Sequence, residues 1–222
     1  EEGVTITHLS ENGRFLARIE GPVSGNVLLR RAQYRAADDP AKAQAIVSAI
    51  VIAKALNQRN VIRRALRDHG SEMAEEGRTA LETAEARLTD IARRGQRPAN
   101  VETLRGLEGE AAAVYFGVFD RLVRTEDEAF RFRSRSRRPP LDPMNALLSF
   151  LYTLLVHDCR SALETVGLDP AAGFLHALRP GRPSLALDLV EEFRPNVADR
   201  LALSLINRGQ IGPTAFRRMD NG

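Results

Sequence analysis

Apolar and polar residues alternate over Val4 to Leu9 and again over Arg14 to Ile19, the period of a half-buried strand. Between them Glu11, Asn12 and Gly13 supply a tight turn, because Asn-Gly tolerates the positive φ angles of a short hairpin loop. Two strands alone bury too little to be stable, so this hairpin needs a partner, expected to be a further sheet. Glu20, Gly21 and Pro22 break the alternation, and from Asn26 onward the spacing becomes helical.

Asp39 and Pro40 mark a helix start, with proline in a first turn where its missing N–H is not needed. Ile46, Ile50, Ala53, Leu56, Val61, Ile62 and Leu66 then recur at helical spacing as far as His69 and Gly70. A second long helix is expected from Ser71 to Arg94, and a third from Val101 to Arg124 carrying Leu104, Leu107, Ala111, Val114 and Val118. The stretch Asp127 to Leu141 is polar and basic, and Pro139-Pro140 prevents its continuing as a regular helix. Asp142 and Pro143 start a fourth helix, whose Leu147, Phe150, Leu151, Leu154 and Leu155 form a broad apolar face that ends at Gly167. Asp169 and Pro170 predict a short helical turn leading to His176, and Arg179 to Pro183 a constrained loop. Ser184 is the expected N-cap of the helix that holds Asp188 and Glu191. Pro195 either kinks that helix or starts the next, which runs through Leu201, Leu205 and Ile206 to Arg208 and Gly209. The expectation is a mainly α fold preceded by a β-hairpin.

A chain of 222 residues can bury a sizeable core, and 43% hydrophobic with only 5% aromatic residues favours helices over a sandwich. The net charge is only +3, but the arginines cluster, which points to basic surfaces that meet phosphate. Lys42 and Lys54 are the only lysines. An Arg- and Ala-biased genome explains that ratio better than a phosphate-binding role does. The single cysteine, Cys159, forbids an internal disulfide, sits in an apolar helical setting suited to packing, and fits a reducing cytoplasm. No uninterrupted apolar run reaches the length of a membrane span, so no membrane partner is expected. The chain begins without Met inside a strand pattern, as a piece of a longer protein would.

Three residues carry the candidate chemistry: Glu108, His176 and Glu191, on separate apolar segments beside arginine-rich loops. Two carboxylates and an imidazole suit a divalent metal acting on a phosphodiester, Mg²⁺ or Mn²⁺ rather than a zinc site built on H-E-x-x-H or paired cysteines. Glu108 lies between Gly106 and Gly109, each costing about 1 kcal/mol in a helix, so close approach of another helix, or of a metal or DNA backbone, should offset them. A solvated surface carboxylate at 108 and a structural histidine at 176 stay open at this point. Asp188 and Glu191 share a helical face, where Asp188 has an ordinary role at a helix N-terminus. Arg131, Arg133, Arg135, Arg137 and Arg138 form the strongest basic run. In an extended segment the first four alternate onto one side, opposite Phe132, Ser134 and Ser136, and could track a phosphate backbone.

The segments N-G-R-F-L-A-R at 12 to 18, S-G-N-V-L-L-R-R-A-Q-Y-R at 24 to 35, L-R-G-L-E-G-E-A-A at 104 to 112, R-R-P-P-L-D-P-M-N-A-L-L-S-F at 137 to 150 and G-F-L-H-A-L-R-P-G-R-P-S-L-A-L-D-L-V-E-E-F-R-P at 173 to 195 carry a resemblance. Together they resemble the CRISPR-associated spacer-acquisition endonuclease and integrase, the "Cas one" family, especially its type I-C form. The resemblance implies that Glu108, His176 and Glu191 coordinate the catalytic metal, with Asp188 as a secondary acidic group. It also implies that residues 1–22 are the remnant of an N-terminal β domain and 23–222 an α-helical catalytic domain lacking its last helices. Implied partners are double-stranded DNA, both incoming protospacer and CRISPR repeat, the "Cas two" adaptation protein, and a second copy in the full-length family. Arg105, Arg179 and Arg182 become candidates to neutralise phosphates. The alternative reading is a non-catalytic helical module that binds DNA or protein.

Overall fold

A computed structural model of the chain describes residues 6–11, 13–19 and 26–217. The hairpin is antiparallel, β1 (Ile6–Leu9) against β2 (Phe15–Ile19), with Gly13 at φ +73° in the turn. Val4, Asn12 and the break at 20–22 lie outside the described residues. The hairpin rests on a helix: Phe15 stacks on His157 at 5.4 Å between ring centroids, and Arg18 meets Glu164 at 2.5 Å. Its other side carries Ile6, Leu16 and Ile19, all about half or more exposed.

Seven α-helices follow among the described residues. Helix α1 (Val27–Asp38) begins at Asn26, whose side chain accepts from the N–H groups of Leu28 and Leu29. Asp39 caps α2 (Pro40–His69) in the same way. Helix α2 is long and apolar enough, by length and composition, to cross a membrane. Its apolar side instead packs against α3 (Glu75–Gly95) and α4 (Val101–Gly117), which explains its hydropathy as that of a core helix. The buried stripe is Val47, Val51, Ala55 and Ile62, one position round from the expected Ile46 and Ile50, which are half-buried.

The third predicted helix stops early. After Gly117 a 3₁₀ turn, Phe119–Leu122, tightens the chain and drives Phe119 fully into a cluster with Tyr115, Phe116 and Phe132. Helix α5 (Pro143–Thr165) is capped by Asp142 and packs through Leu148 and Leu147 on the main core. Its far end joins Cys159 and Leu163 to Leu185, Ala186 and Val190 of α6 (Ser184–Phe193) in a smaller cluster. Burial pushes the Cys159 thiol up to about 11, as expected of a packing residue.

Pro195 starts no separate helix. Residues Arg194–Asp199 widen into a π-helical turn that leads directly into α7 (Arg200–Asn207), so one continuous helical run extends from 184 to 207. A widened turn accommodates the missing proline N–H and is a known device for aiming side chains at functional sites. Here it aims Arg194 and Asp199.

Candidate metal centre

The chain between α5 and α6 contains turns but no helix, contrary to the turn of helix expected after Pro170. It is pinned from outside by α1: buried Gln33 donates to the carbonyls of Asp169 and Ala172, both at 2.8 Å, and accepts from the Asp169 N–H at 2.9 Å. From inside it is pinned by Asp188, which is completely buried. One carboxylate oxygen accepts from the N–H groups of Phe174 (2.6 Å) and Leu175 (2.9 Å). The other accepts from the His176 N–H (2.8 Å) and meets its ring Nδ1 at 2.7 Å. A charged acceptor facing several backbone donors fixes the loop and the imidazole together. With Nδ1 held by a carboxylate, Nε2 is the ring nitrogen left to face the centre.

Ser184 does not cap α6. Its hydroxyl donates to the Ala177 carbonyl at 3.1 Å and ties the far end of the same loop. Arg105 of α4 holds the loop too, donating to the Leu175 carbonyl at 2.6 Å while also pairing with Glu102.

Glu108 comes from α4, His176 from the 170s loop and Glu191 from α6. His176 Nε2 stands 4.0 Å from Glu191 Oε1. The link between the two glutamates is Lys54, 4% exposed on α2, whose ammonium contacts both Glu108 Oε1 and Glu191 Oε2. Arg194, one turn beyond Glu191, binds its other oxygen at 2.5 Å. Burial alone pushes the Glu191 carboxyl up; the ammonium of Lys54 and the guanidinium of Arg194 outweigh it and bring it down to about 2. Among the described residues no three His, Cys, Asp or Glu side chains converge closely enough to hold a metal in this arrangement, and the Lys54 ammonium is what the two carboxylates share.

The donor set nevertheless fits a divalent metal. Glu191 is ionised and buried, Glu108 lies at the partly open edge with 27% of its side chain exposed, and His176 offers an oriented ring nitrogen. Asp188 is not on the rim with these groups; it stands behind His176. Sequence reading missed Lys54 and Arg194. A signal existed for the first: one of only two lysines among 32 basic residues lies within a helix that is long and apolar enough to cross a membrane.

Of the two reasons expected for the flanking glycines, close approach of another helix is the one that the structure excludes. A Cβ on Gly106 or on Gly109 meets nothing within 4 Å, so no helix approaches there. Gly106→Ala should therefore raise unfolding free energy by about 1 kcal/mol in urea titrations; a loss of stability would reveal a packing demand that the structure lacks.

Behind the centre, Tyr152 of α5 donates to buried Asp199 at 2.5 Å, and the guanidiniums of Arg194 and Arg135 lie over its ring at 4.7 and 5.2 Å. Burial pushes the Asp199 carboxyl up to about 6. Since 3.8 is its ordinary value, the folded chain binds a proton in the interval from about 4 to 6 that the unfolded chain has released. Stability therefore falls as pH rises through about 6. Relative to Asp199→Asn, the parent chain should lose about 1–2 kcal/mol between pH 5 and pH 7.5; parallel pH profiles for the two would count against a raised Asp199.

The basic run is not an alternating extended strand. Arg131, Arg133, Arg137 and Arg138 are exposed, with Arg131 paired to Glu128 and Asp120. Arg135 is turned inward, donating to the Ser136 carbonyl, Asn145 Oδ1 (2.7 Å) and Ser149 Oγ (3.1 Å). Fully buried Asn145 also accepts from the Ser136 N–H and donates to the Ser134 carbonyl, so it staples this loop to the start of α5. Arg135 thus anchors the loop and is withdrawn from the surface set. Arg179 is exposed and Arg182 half-buried in the loop before α6.

Residues 1–222 match the family model described as CRISPR associated protein Cas1. The chain belongs to the Cas1 family. It is 60% identical over 221 residues to CRISPR-associated endonuclease Cas1 2 of Rhodospirillum rubrum, covering 99% of this chain and 63% of that protein. It is 55% identical over 220 residues to CRISPR-associated endonuclease Cas1 1 of Chlorobaculum tepidum, again covering 63% of the relative. The chain thus spans somewhat under two thirds of the length of these Cas1 proteins. Among solved structures it resembles the Cas1 protein TM1797 from Thermotoga maritima (28% identity, TM-score 0.78), covering 98% of this chain and 65% of that one. It also resembles a casposase bound to integration product (27% identity, TM-score 0.77), covering 98% of this chain and 57% of that one. A third likeness is to a Cas6-RT-Cas1–Cas2 complex (28% identity, TM-score 0.79), covering 99% of this chain and 23% of the matched chain.

Proposed function

We propose that this chain is the helical catalytic part of a DNA endonuclease and integrase of CRISPR adaptation, with residues 1–22 the end of a preceding β domain. The observation that carries the reading is that Lys54 joins Glu108 to Glu191, while His176, its Nδ1 held by buried Asp188, stands with Nε2 4.0 Å from Glu191. Glu108, His176 and Glu191 would hold Mg²⁺ or Mn²⁺, which when bound stabilises charge developing on a phosphodiester under attack. Asp188 sets the tautomer and direction of His176. Arg194 restrains Glu191, and Arg105 fixes the carbonyl next to His176 rather than reaching outward. The names of the R. rubrum and C. tepidum relatives support the nuclease reading, and the casposase on its integration product supports strand joining. The Cas1–Cas2 neighbour supports the second adaptation protein as a partner of the complete protein, and the casposase on its integration product supports DNA as another; a second copy is the partner that the family resemblance implies. A cytoplasmic setting suits all of these.

The deciding experiment is Mn²⁺-dependent nicking of branched DNA by the chain and by its Glu108→Ala, His176→Ala and Glu191→Ala variants. Activity abolished in all three is expected; activity surviving any of them would sink the metal assignment. Arg133, Arg137 and Arg138 remain outward for DNA. Changing all three to Gln should flatten the slope of log affinity against log salt by about 0.9 for each phosphate that these arginines neutralise, whereas an unchanged slope would remove them from the interface.

A further inference from the structure

We propose that Lys54 is a built-in counter-ion that occupies the carboxylate pair in the metal-free chain and must leave when metal binds. This rests on the reading that Glu108, His176 and Glu191 hold the metal. Glu191 has 3% of its side chain exposed and Lys54 has 6%, so without a cation the site would bury carboxylate charge with too little compensation. Arg194 supplies only part of that compensation, through the other oxygen of Glu191. Lys54 supplies the rest and draws Glu108 from α4 and Glu191 from α6 onto one point, keeping the donor set assembled.

The same contacts exclude a metal. Lys54 and a dication would compete for Glu108 Oε1 and Glu191 Oε2, and two cations in contact with the same buried oxygens repel strongly in a poorly solvated site. The site therefore exchanges one cation for another. A lysine suits this role because its single charge sits on a flexible four-carbon stem that can withdraw without moving the helix. Metal affinity is weakened by the competition, while the fold avoids an uncompensated acidic pocket when metal is scarce.

Calorimetric titration with Mn²⁺ separates this role from that of a permanent ion pair. Lys54→Met removes the competing charge and should bind Mn²⁺ at least about ten-fold more tightly than the parent chain, while Lys54→Arg keeps a competing cation and should stay near the parent value. Equal or weaker binding by Lys54→Met, with the parent chain still binding, overturns the exchange and leaves the metal site standing. No binding by any of the three chains overturns both. Should Lys54→Met fail to fold, the parent chain supplies the readout. Lys54 is buried, whereas the only other lysine, Lys42, has 64% of its side chain exposed and serves as the internal reference. Amine acetylation mapped by mass spectrometry should speed up at Lys54 by at least about five-fold on Mn²⁺ saturation, with Lys42 unchanged. Unaltered protection of Lys54 at saturation rules the exchange out.

Discussion

Asp188→Asn should cost about 3–5 kcal/mol of stability and weaken metal binding by roughly 10–100-fold, although Asp188 is not itself among the three proposed ligands. Its two oxygens serve four hydrogen-bond contacts from Phe174, Leu175 and His176, at 2.6 to 2.9 Å, with no exposed surface. Asn keeps the shape but replaces one oxygen with an amide that can only donate, and either orientation of that amide opposes backbone donors. The donors left over are buried and unsatisfied, and the remaining bonds lose their charge assistance. Imidazole orientation goes with them, because Nδ1 loses the carboxylate that fixed the tautomer. Urea unfolding and Mn²⁺ titration read the two effects separately. His176→Ala is the control: its side chain is 22% exposed, so metal binding should vanish at a smaller stability cost. A stable Asp188→Asn with unchanged metal affinity would refute the orienting role.

The helices were legible where local chemistry acts alone. Asn26, Asp39 and Asp142 cap as their side chains suggest, and the first two-strand pattern pairs as read. What failed was decided by packing. Helix α4 ends at Gly117 because turning Phe119 into the aromatic cluster gains more than another turn of regular helix. Ser184 has the right residue type for a cap, yet a carbonyl seven residues upstream takes its hydroxyl. The alternation of Arg131 to Arg138 is broken because Asn145, ten positions beyond Arg135, offers a buried acceptor that no local pattern announces.

Legibility of the centre divides along the same line. Residue types picked out Glu108, His176 and Glu191; in the fold Lys54 links the two glutamates, and His176 Nε2 stands 4.0 Å from Glu191. Two of their supports were hard to read because they act across a long stretch of chain: Lys54 lies 137 positions from Glu191, and Gln33 is 139 from Ala172. A lysine in an apolar helix stripe reads as a surface residue until the carboxylates that neutralise it arrive from other elements. Arg105 shows the converse, a charge that suggested phosphate and instead holds a backbone carbonyl.

Gly173→Ala should be among the most damaging single-methyl changes in the chain, costing roughly 3 kcal/mol and lowering metal affinity together with stability. The reason is space rather than backbone angle. A Cβ at 173 would stand 2.6 Å from the Ser184 carbonyl carbon, 2.8 Å from the Leu185 nitrogen and 2.8 Å from Asp188 Oδ2. Two of those atoms are backbone at the start of α6 and cannot rotate away. Relief requires the 170s loop to lift from the helix, which strains the Leu185 N–H bond to the Pro170 carbonyl at 2.8 Å and pulls the Phe174, Leu175 and His176 donors off Asp188. Glycine is thus needed here so that loop and helix can approach closely enough for one carboxylate to collect three successive N–H groups. Thermal or urea unfolding, with Mn²⁺ titration of the surviving folded protein, tests the coupling. A variant that loses stability yet binds metal normally would show that the loop can shift without turning His176, and the close approach would then matter for packing alone.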